Sequence, residues 1–207
     1  MWYPATVTTA PTSTAVTLEQ VKAQCQIAVG DTSRDDQLNQ LIKAVQSQVE
    51  RYCAIRVVPQ TVTLPCDAFS DFCRVPEAPI KQVESVKYSD PAGVEQTLPA
   101  EIYEVRKDGL SPSIALKHGK AWPEILPRSR ITVSLVAGFD PVPADLVAAM
   151  LLMIAKQFSF SRSDLLKRRE DVEGIGSTQW AGAVEVSSAL DRAAQDMLEP
   201  FRCWPLT

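Results

Sequence analysis

The sequence predicts an α+β protein with helices towards both ends of the chain and a β-rich middle. Three observations carry the prediction. Two capped amphipathic stretches precede residue 57, alternating periodicity takes over from Val57 to Val136, and helical spacing returns after Gly138. No catalytic motif interrupts this layout, since the 207 residues hold a single histidine, His118, and no glycine-rich phosphate loop.

Residues 4–17 are rich in Thr, Ala and Pro and carry no charge, so helix is disfavoured and residues 1–16 read as an extended or disordered arm. Thr17 and Gln20 form the pattern of a capping box, with Val16 placed to staple onto Val21. Leu18, Val21 and Cys25 would share one helical face, and Gly30 is placed to end the element. Ser33 is expected to cap a second helix, with Asp35 and Asp36 near the positive end of its dipole as capping residues, not an acid/base or metal pair. Its stripe runs Leu38, Leu41, Ile42, Val45, Val49 and Tyr52 over about 30 Å. Residues 17–56 are thus assigned to N-terminal helices.

From 57 to 137 short alternating runs recur: Thr61–Leu64, Val83–Tyr88, Ile102–Arg106, Ile114–Leu116 and Ile131–Val136. Turns are expected at Asp90-Pro91-Ala92-Gly93 and Asp108-Gly109. Short strands at such intervals imply a small antiparallel sheet or barrel. Trp122-Pro123 lies before the last strand, where a ring can lid an open end of the sheet. His118, within Lys117-His118-Gly119, reads as a turn residue, because no Ser, Cys or acid accompanies it in a catalytic pattern.

Gly138 turns the chain out of the last strand, and Pro141 and Pro143 preset a helix start. The helix of residues 138–160 is apolar on most sides (Leu146, Val147, Met150, Leu151, Leu152, Ile154, Ala155, Phe158), as expected at the centre of a bundle or between subunits. Residues 161–187 read as a polar loop, in which Lys167, Arg168 and Arg169 are interleaved with acids and form a solvated cluster that could also touch phosphates. Gly174-Ile175-Gly176 lacks the strand-then-helix setting of a nucleotide site. Over 188–207, Ser188 with Asp191 is expected to cap a last helix striped by Leu190, Ala193, Ala194, Met197 and Leu198. Pro200 stops it, leaving an aromatic tail of Phe201, Trp204 and Leu206.

Composition narrows the classes. A formal net charge of -4 argues against a dedicated nucleic-acid binder. Hydrophobic residues at 45% allow a sizeable core. The longest uncharged apolar run, Leu146–Ala155, falls well short of the roughly 20 residues a membrane span needs, and Met1–Thr17 lacks the pattern of a secretory signal. Soluble, cytoplasmic synthesis is the expectation. Cys25, Cys53, Cys66, Cys73 and Cys203 match no common zinc spacing and are expected to be reduced structural thiols. No catalytic, cofactor-binding or metal-ligating residue is assigned.

Several stretches together carry a resemblance: Tyr52-Cys53 with Pro59-Gln60-Thr61, then Pro76 and Pro79-Ile80 with Val83–Tyr88. The hairpin from Asp90 to Pro99, Trp122-Pro123, and Val136-Ala137-Gly138-Phe139 leading through Val142-Pro143-Ala144 into the apolar helix belong to it too. In this order, over roughly residues 17–205, the chain resembles the head–tail connector (adaptor, head-completion) family of long-tailed phages and gene transfer agents. That resemblance implies a helical bundle with an inserted small antiparallel β-sheet/barrel and no catalysis. It implies a dodecameric ring beneath the portal protein that joins head to tail and lets DNA pass. The expected partners are the portal, further copies of the chain, and head-closure or tail proteins. DNA would be met only in passing and a membrane not at all. The expected location is the virion neck, after assembly in the host cytoplasm. Phe201, Trp204, Lys167, Arg168 and Arg169 are the candidate partner contacts. The alternatives are another neck or tail-completion protein, or a host interaction module without catalysis.

Overall fold

The computed structural model describes residues 1–162, 169–172, 176–179 and 183–203. The chain forms two compact units, each made of separated stretches: Thr14–Val49 with Pro143–Pro200, and Met1–Ser13 with Glu50–Val142 and Phe201–Thr207.

The first unit is helical. Helix α1 spans Leu18–Gln24, and α2, spanning Asp35–Cys53, begins here and runs on into the second unit. Helices α3, Ala144–Arg162, and α4, Ala183–Leu198, complete it. The Thr17 capping box is formed, with Gln20 N–H donating to Thr17 Oγ1 at 3.2 Å and Thr17 N–H donating to Gln20 Oε1 at 2.8 Å. Val16 and Val21 are both fully buried, as a hydrophobic staple requires. On α2, Leu38, Ile42, Val45 and Val49 are buried. On α3, which packs against α1 and α4, the buried residues are Leu146, Ala149, Met150, Ile154 and Phe158.

Three helix boundaries depart from expectation. α1 ends at Gln24, not at Gly30, because Gln26 takes a left-handed conformation (φ 55°) and closes a two-bond C-terminal cap. Gln26 N–H donates to Ala23 O at 3.2 Å and Ile27 N–H donates to Lys22 O at 2.8 Å. Cys25 is therefore the half-buried cap residue and not part of the helix's apolar face. Ser33 does not cap α2. Its N–H and hydroxyl both donate to Asp31 Oδ1 (3.0 and 2.6 Å), and these bonds hold the Asp31 carboxyl below the ordinary aspartate range. α4 starts at Ala183, which leaves the expected cap Ser188 inside the helix. Ala and Glu upstream are good enough helix formers to extend it.

The second unit carries a five-stranded antiparallel sheet. Its strands are β1 (Thr6–Thr9), β2 (Gln60–Cys66), β3 (Ile80–Ser89), β4 (Glu95–Thr97) and β7 (Ile131–Ala137), in the order β1-β2-β7-β3-β4. Strands β5 (Tyr103–Arg106) and β6 (Ser113–Leu116) pair only with each other. In β2 and β7 burial alternates strictly, and the register sets Val62 opposite Leu135, Leu64 opposite Val133 and Cys66 opposite Ile131, all fully buried. The sheet is open, with β1 and β4 as its edges, so the barrel alternative is not what forms. The Thr-rich arm is extended and folds onto its own chain as β1, with Thr6 opposite Thr63 and a bulge between Val7 and Thr9.

Gly138 leaves β7 at φ 136°, where a Cβ would lie only 2.3 Å from the Val58 carbonyl carbon. Within the span expected to be a loop, Arg169–Val172 (β8) and Gly176–Gln179 (β9) form an antiparallel pair. Interleaved charges masked that pairing, because neither strand shows an apolar alternation.

Candidate assembly surfaces

His118 sits exposed in the turn before Gly119 (φ 74°), and no cluster of three or more His, Cys, Asp or Glu suited to a metal occurs among the described residues. All five cysteines lie among the described residues, where no disulfide joins any of them. Burial pushes the Cys66 thiol up to about 12, far from a nucleophilic thiolate at neutral pH. Among the described residues no helix is long and apolar enough to cross a membrane.

The side chains instead build rigid supports. Trp122 stacks on Phe69 (centroids 4.8 Å apart, planes at 6°) and meets Phe72 edge-on at 5.6 Å, while Trp2 stacks on Phe72 at 5.9 Å. The ring from the Trp-Pro loop thus packs against the core of the sheet unit. Arg56 grips Glu77 with two bonds, Nε to Oε2 at 2.7 Å and Nη2 to Oε1 at 2.9 Å. The Glu77 bonds raise the Arg56 guanidinium's pKa further, despite its partial burial. Glu50 accepts from Val57 N–H and from the Gln60 side-chain amide, both at 3.1 Å. These bonds fix the short passage from α2 into β2.

The root of the C-terminal tail is tied into the same unit. Phe201 is half-buried, with its ring edge-on to Phe139 at 5.9 Å. The Arg202 guanidinium lies 5.0 Å from the centre of the Tyr52 ring, and Cys203 N–H donates to Cys53 O at 2.8 Å. Trp204, Lys167 and Arg168 lie outside the described residues, and Arg169 is the first residue of β8. Of the five candidate contact residues, only Phe201 and Arg169 are thus among the described residues.

Two further surfaces stand out, the first on the helix expected to be apolar on most sides, the second not foreseen in the sequence. On α3, Val147, Leu151, Leu152 and Met153 stay only half-buried within the chain, leaving apolar area beside the packed face. A cleft of about 470 Å3 is lined by Met1, Trp2, Ala54, Ser70, Asp71, Cys73, Arg74, Val75, Pro76, Ala78, Leu110 and Cys203. Its walls come from five separated stretches of sequence, so no local pattern announces it.

Comparison with known proteins agrees with the architecture. Residues 15–95 match the family model described as "Phage gp6-like head-tail connector protein". In overall fold the chain is similar to a component of the neck of an empty GTA particle computed with C6 symmetry. That likeness has a TM-score of 0.70 at 19% identity and covers 99% of this chain and 98% of the other. It is also similar to a chain of the virion of a native gene transfer agent particle (TM-score 0.69, 20% identity, 99% and 98% covered). A third likeness is to a chain of the neck of a native GTA particle computed with C12 symmetry (TM-score 0.63, 20% identity, the same coverage). No curated protein matches the sequence. The resemblance read from the sequence is thus supported by an independent family match and by the fold.

Proposed function

We infer that this chain is a head–tail connector, a structural component of the neck of a tailed phage or phage-like particle. The observation that carries this reading is the connector-family match over residues 15–95, in a chain whose whole length takes the fold of gene transfer agent neck components. Its work is assembly, not catalysis. The side chains described above fix strand entries and pack against a core.

In the particle, copies of the chain form a ring against the portal. Neck particles of the similar chains were computed with C6 and C12 symmetry, which favours twelve copies. The half-buried apolar residues of α3 supply area for a neighbouring subunit or a portal surface. Trp204 and the basic cluster Lys167, Arg168 and Arg169 are the proposed partner contacts, with Phe201 holding the tail root in place. DNA slides past without tight binding, in keeping with the net charge of -4.

Mixing the purified protein with its cognate portal tests the reading. Light scattering should show a monomer or small oligomer alone, and electron microscopy should show a closed ring on the portal. Neutralising Lys167, Arg168 and Arg169 together should impair head–tail joining and leave DNA packaging intact. Absence of any portal complex would overturn the connector role. Submicromolar duplex-DNA binding that the triple variant abolishes would make the cluster a DNA contact instead.

A further inference from the structure

We propose that a basic patch of the sheet unit, carried by Lys117, Lys120, Arg128 and Arg130, docks on the acidic helical unit of the next copy in the ring. This deepens the connector reading and rests on it. The patch lies on the stretch between β6 and β7, where all four side chains are exposed and Glu124 is the only acid among them. Two turns shape it, with Lys120 N–H donating to Lys117 O at 3.1 Å and Ser129 N–H donating to Leu126 O at 3.0 Å. In the second turn Pro127 stands second and Arg128 third, at φ 67°, a conformation that turns of this kind ordinarily give to Gly or Asn. Because the Arg128 side chain is exposed, packing within the unit does not offset that strain, which points to a use outside the chain. Arg130 is pre-set differently, its guanidinium lying 3.9 Å from the centre of the Tyr3 ring.

Charge says what would cover the patch. Four other cations of the same unit meet carboxylates of their own: Arg56 with Glu77 at 2.7 Å, Lys81 with Asp140 at 2.6 Å, Lys87 with Glu95 at 2.9 Å and Arg106 with Glu104 at 2.7 Å. Among the described residues no carboxylate pairs with Lys117, Lys120, Arg128 or Arg130, and Lys117 donates only to Ala100 O at 3.1 Å. Over the stretches of the sheet unit acidic and basic residues balance one for one, so the net charge of -4 belongs to the stretches of the helical unit. There Glu19 on α1, Asp31 in the loop that follows and Asp36 on α2 are exposed. They surround the point where Lys22 Nζ joins α1 to α2 through Asp35 Oδ1 at 2.6 Å, and that bridge uses up the nearby lysine.

A ring of identical chains closes through a heterologous contact, in which one surface of each copy meets a different surface of the next. Unmatched cations on one unit and unmatched carboxylates on the other give a single chain two such surfaces of opposite sign. Duplex DNA would attract the same cations, but phosphate contacts repeated in every copy would grip a genome that has to pass.

Rings formed on the cognate portal, counted by electron microscopy, test the contact. Arg128→Glu with Arg130→Glu, and separately Glu19→Lys with Asp36→Lys, should each cut the yield of rings about tenfold or more, because like charges then face each other. Lys120→Glu repeats the first test without touching the Arg130–Tyr3 contact. Rings should return when both pairs are reversed in one chain, and when the two variants are mixed in equal amounts, since every junction then joins opposite signs. An unchanged melting temperature establishes that each variant is folded. A wild-type yield from any folded variant reversed on one surface alone would overturn the contact and leave the connector role standing. So would a loss that neither the combined chain nor the mixture restores, which would assign the patch to the portal or, if duplex-DNA binding fell with it, to the genome. Failure of the wild type to form any portal complex would remove the connector role and this contact with it.

Discussion

Replacing Gly138 with alanine is expected to be among the most damaging single-methyl additions to this chain. A Cβ there would sit 2.3 Å from the Val58 carbonyl carbon and 2.4 Å from both Val58 O and Pro59 N. Ordinary carbon contacts lie near 3.5 Å, so the overlap is about 1 Å, and it is against backbone that no rotamer change can relieve. The same peptide is held on both sides, because Gly138 N–H donates to Pro79 O at 2.9 Å and Phe139 N–H donates to Val57 O at 3.2 Å. Relief means parting β7's exit from the entry to β2, losing both bonds at about 1 kcal/mol each. A non-glycine residue at positive φ costs about 1–2 kcal/mol more, for a total of about 3–4 kcal/mol. Gly93→Ala is the control. Gly93 also has positive φ (83°), yet nothing lies within 4 Å of its would-be Cβ, so only the conformational cost of about 1–2 kcal/mol applies. Urea unfolding followed by far-UV circular dichroism would measure both, read as midpoint shifts at constant slope. If the two variants proved equally stable, the close approach at Gly138 would not be a real constraint and the reasoning would fail.

Three further outcomes are expected. Glu77→Ala should cost about 2–4 kcal/mol, because Arg56 loses both bonds while half-sequestered, and a paired Arg56→Met, Glu77→Leu change should cost less than Glu77→Ala alone; a paired change costing the sum of the singles would refute the account. Asp90 accepts from the N–H groups of Val94 and Ala92 and from the Gln96 amide, chiefly Val94, which lowers its pKa from the ordinary 3.8. Its support for the β3–β4 hairpin should therefore be complete above the unfolded value and vanish as pH falls through the lower folded one; an NMR titration midpoint at or above 3.8 would contradict this. Truncation after Glu199 removes the Phe201–Phe139 contact and the Cys203–Cys53 hydrogen bond, together about 2 kcal/mol. The melting temperature should fall by roughly 4–8 °C, and an unchanged value would assign the tail to partner contacts alone.

Elements whose periodicity coincides with burial were legible before any coordinates. The α2 stripe from Leu38 to Val49, the capping box at Thr17, and the alternation of β2 and β7 each reflect a local sequence forced by one buried face. β1 was not legible as a strand of this sheet, since all four of its residues are exposed and nothing inward-facing marks them. The end of α1 was missed because a glutamine, not a glycine, takes the left-handed position at Gln26. Strand order was hidden for a different reason, because pairing partners as distant as Cys66 and Ile131 leave no trace in neighbouring residues. The candidate contacts divide the same way. Phe201 could be foreseen as apolar and terminal, but its neighbour Phe139 could not, and the cleft depends on stretches brought together only by folding.

The place of β7 in the sheet has a consequence for biosynthesis. It is the central strand, pairing with β2 on one side and β3 on the other, yet it is the last of the five to leave the ribosome. Until residue 137 is made, β2 and β3 have no common partner, and a nascent chain can hold only the β1–β2 and β3–β4 pairs with their inner edges bare. Closing so long a loop slows folding and prolongs exposure of apolar edges. Residues 15–95, the stretch that matches the connector-family model, stop short of that strand. Expressed alone, they would be recognisable by sequence but unable to complete the sheet that their own strands belong to.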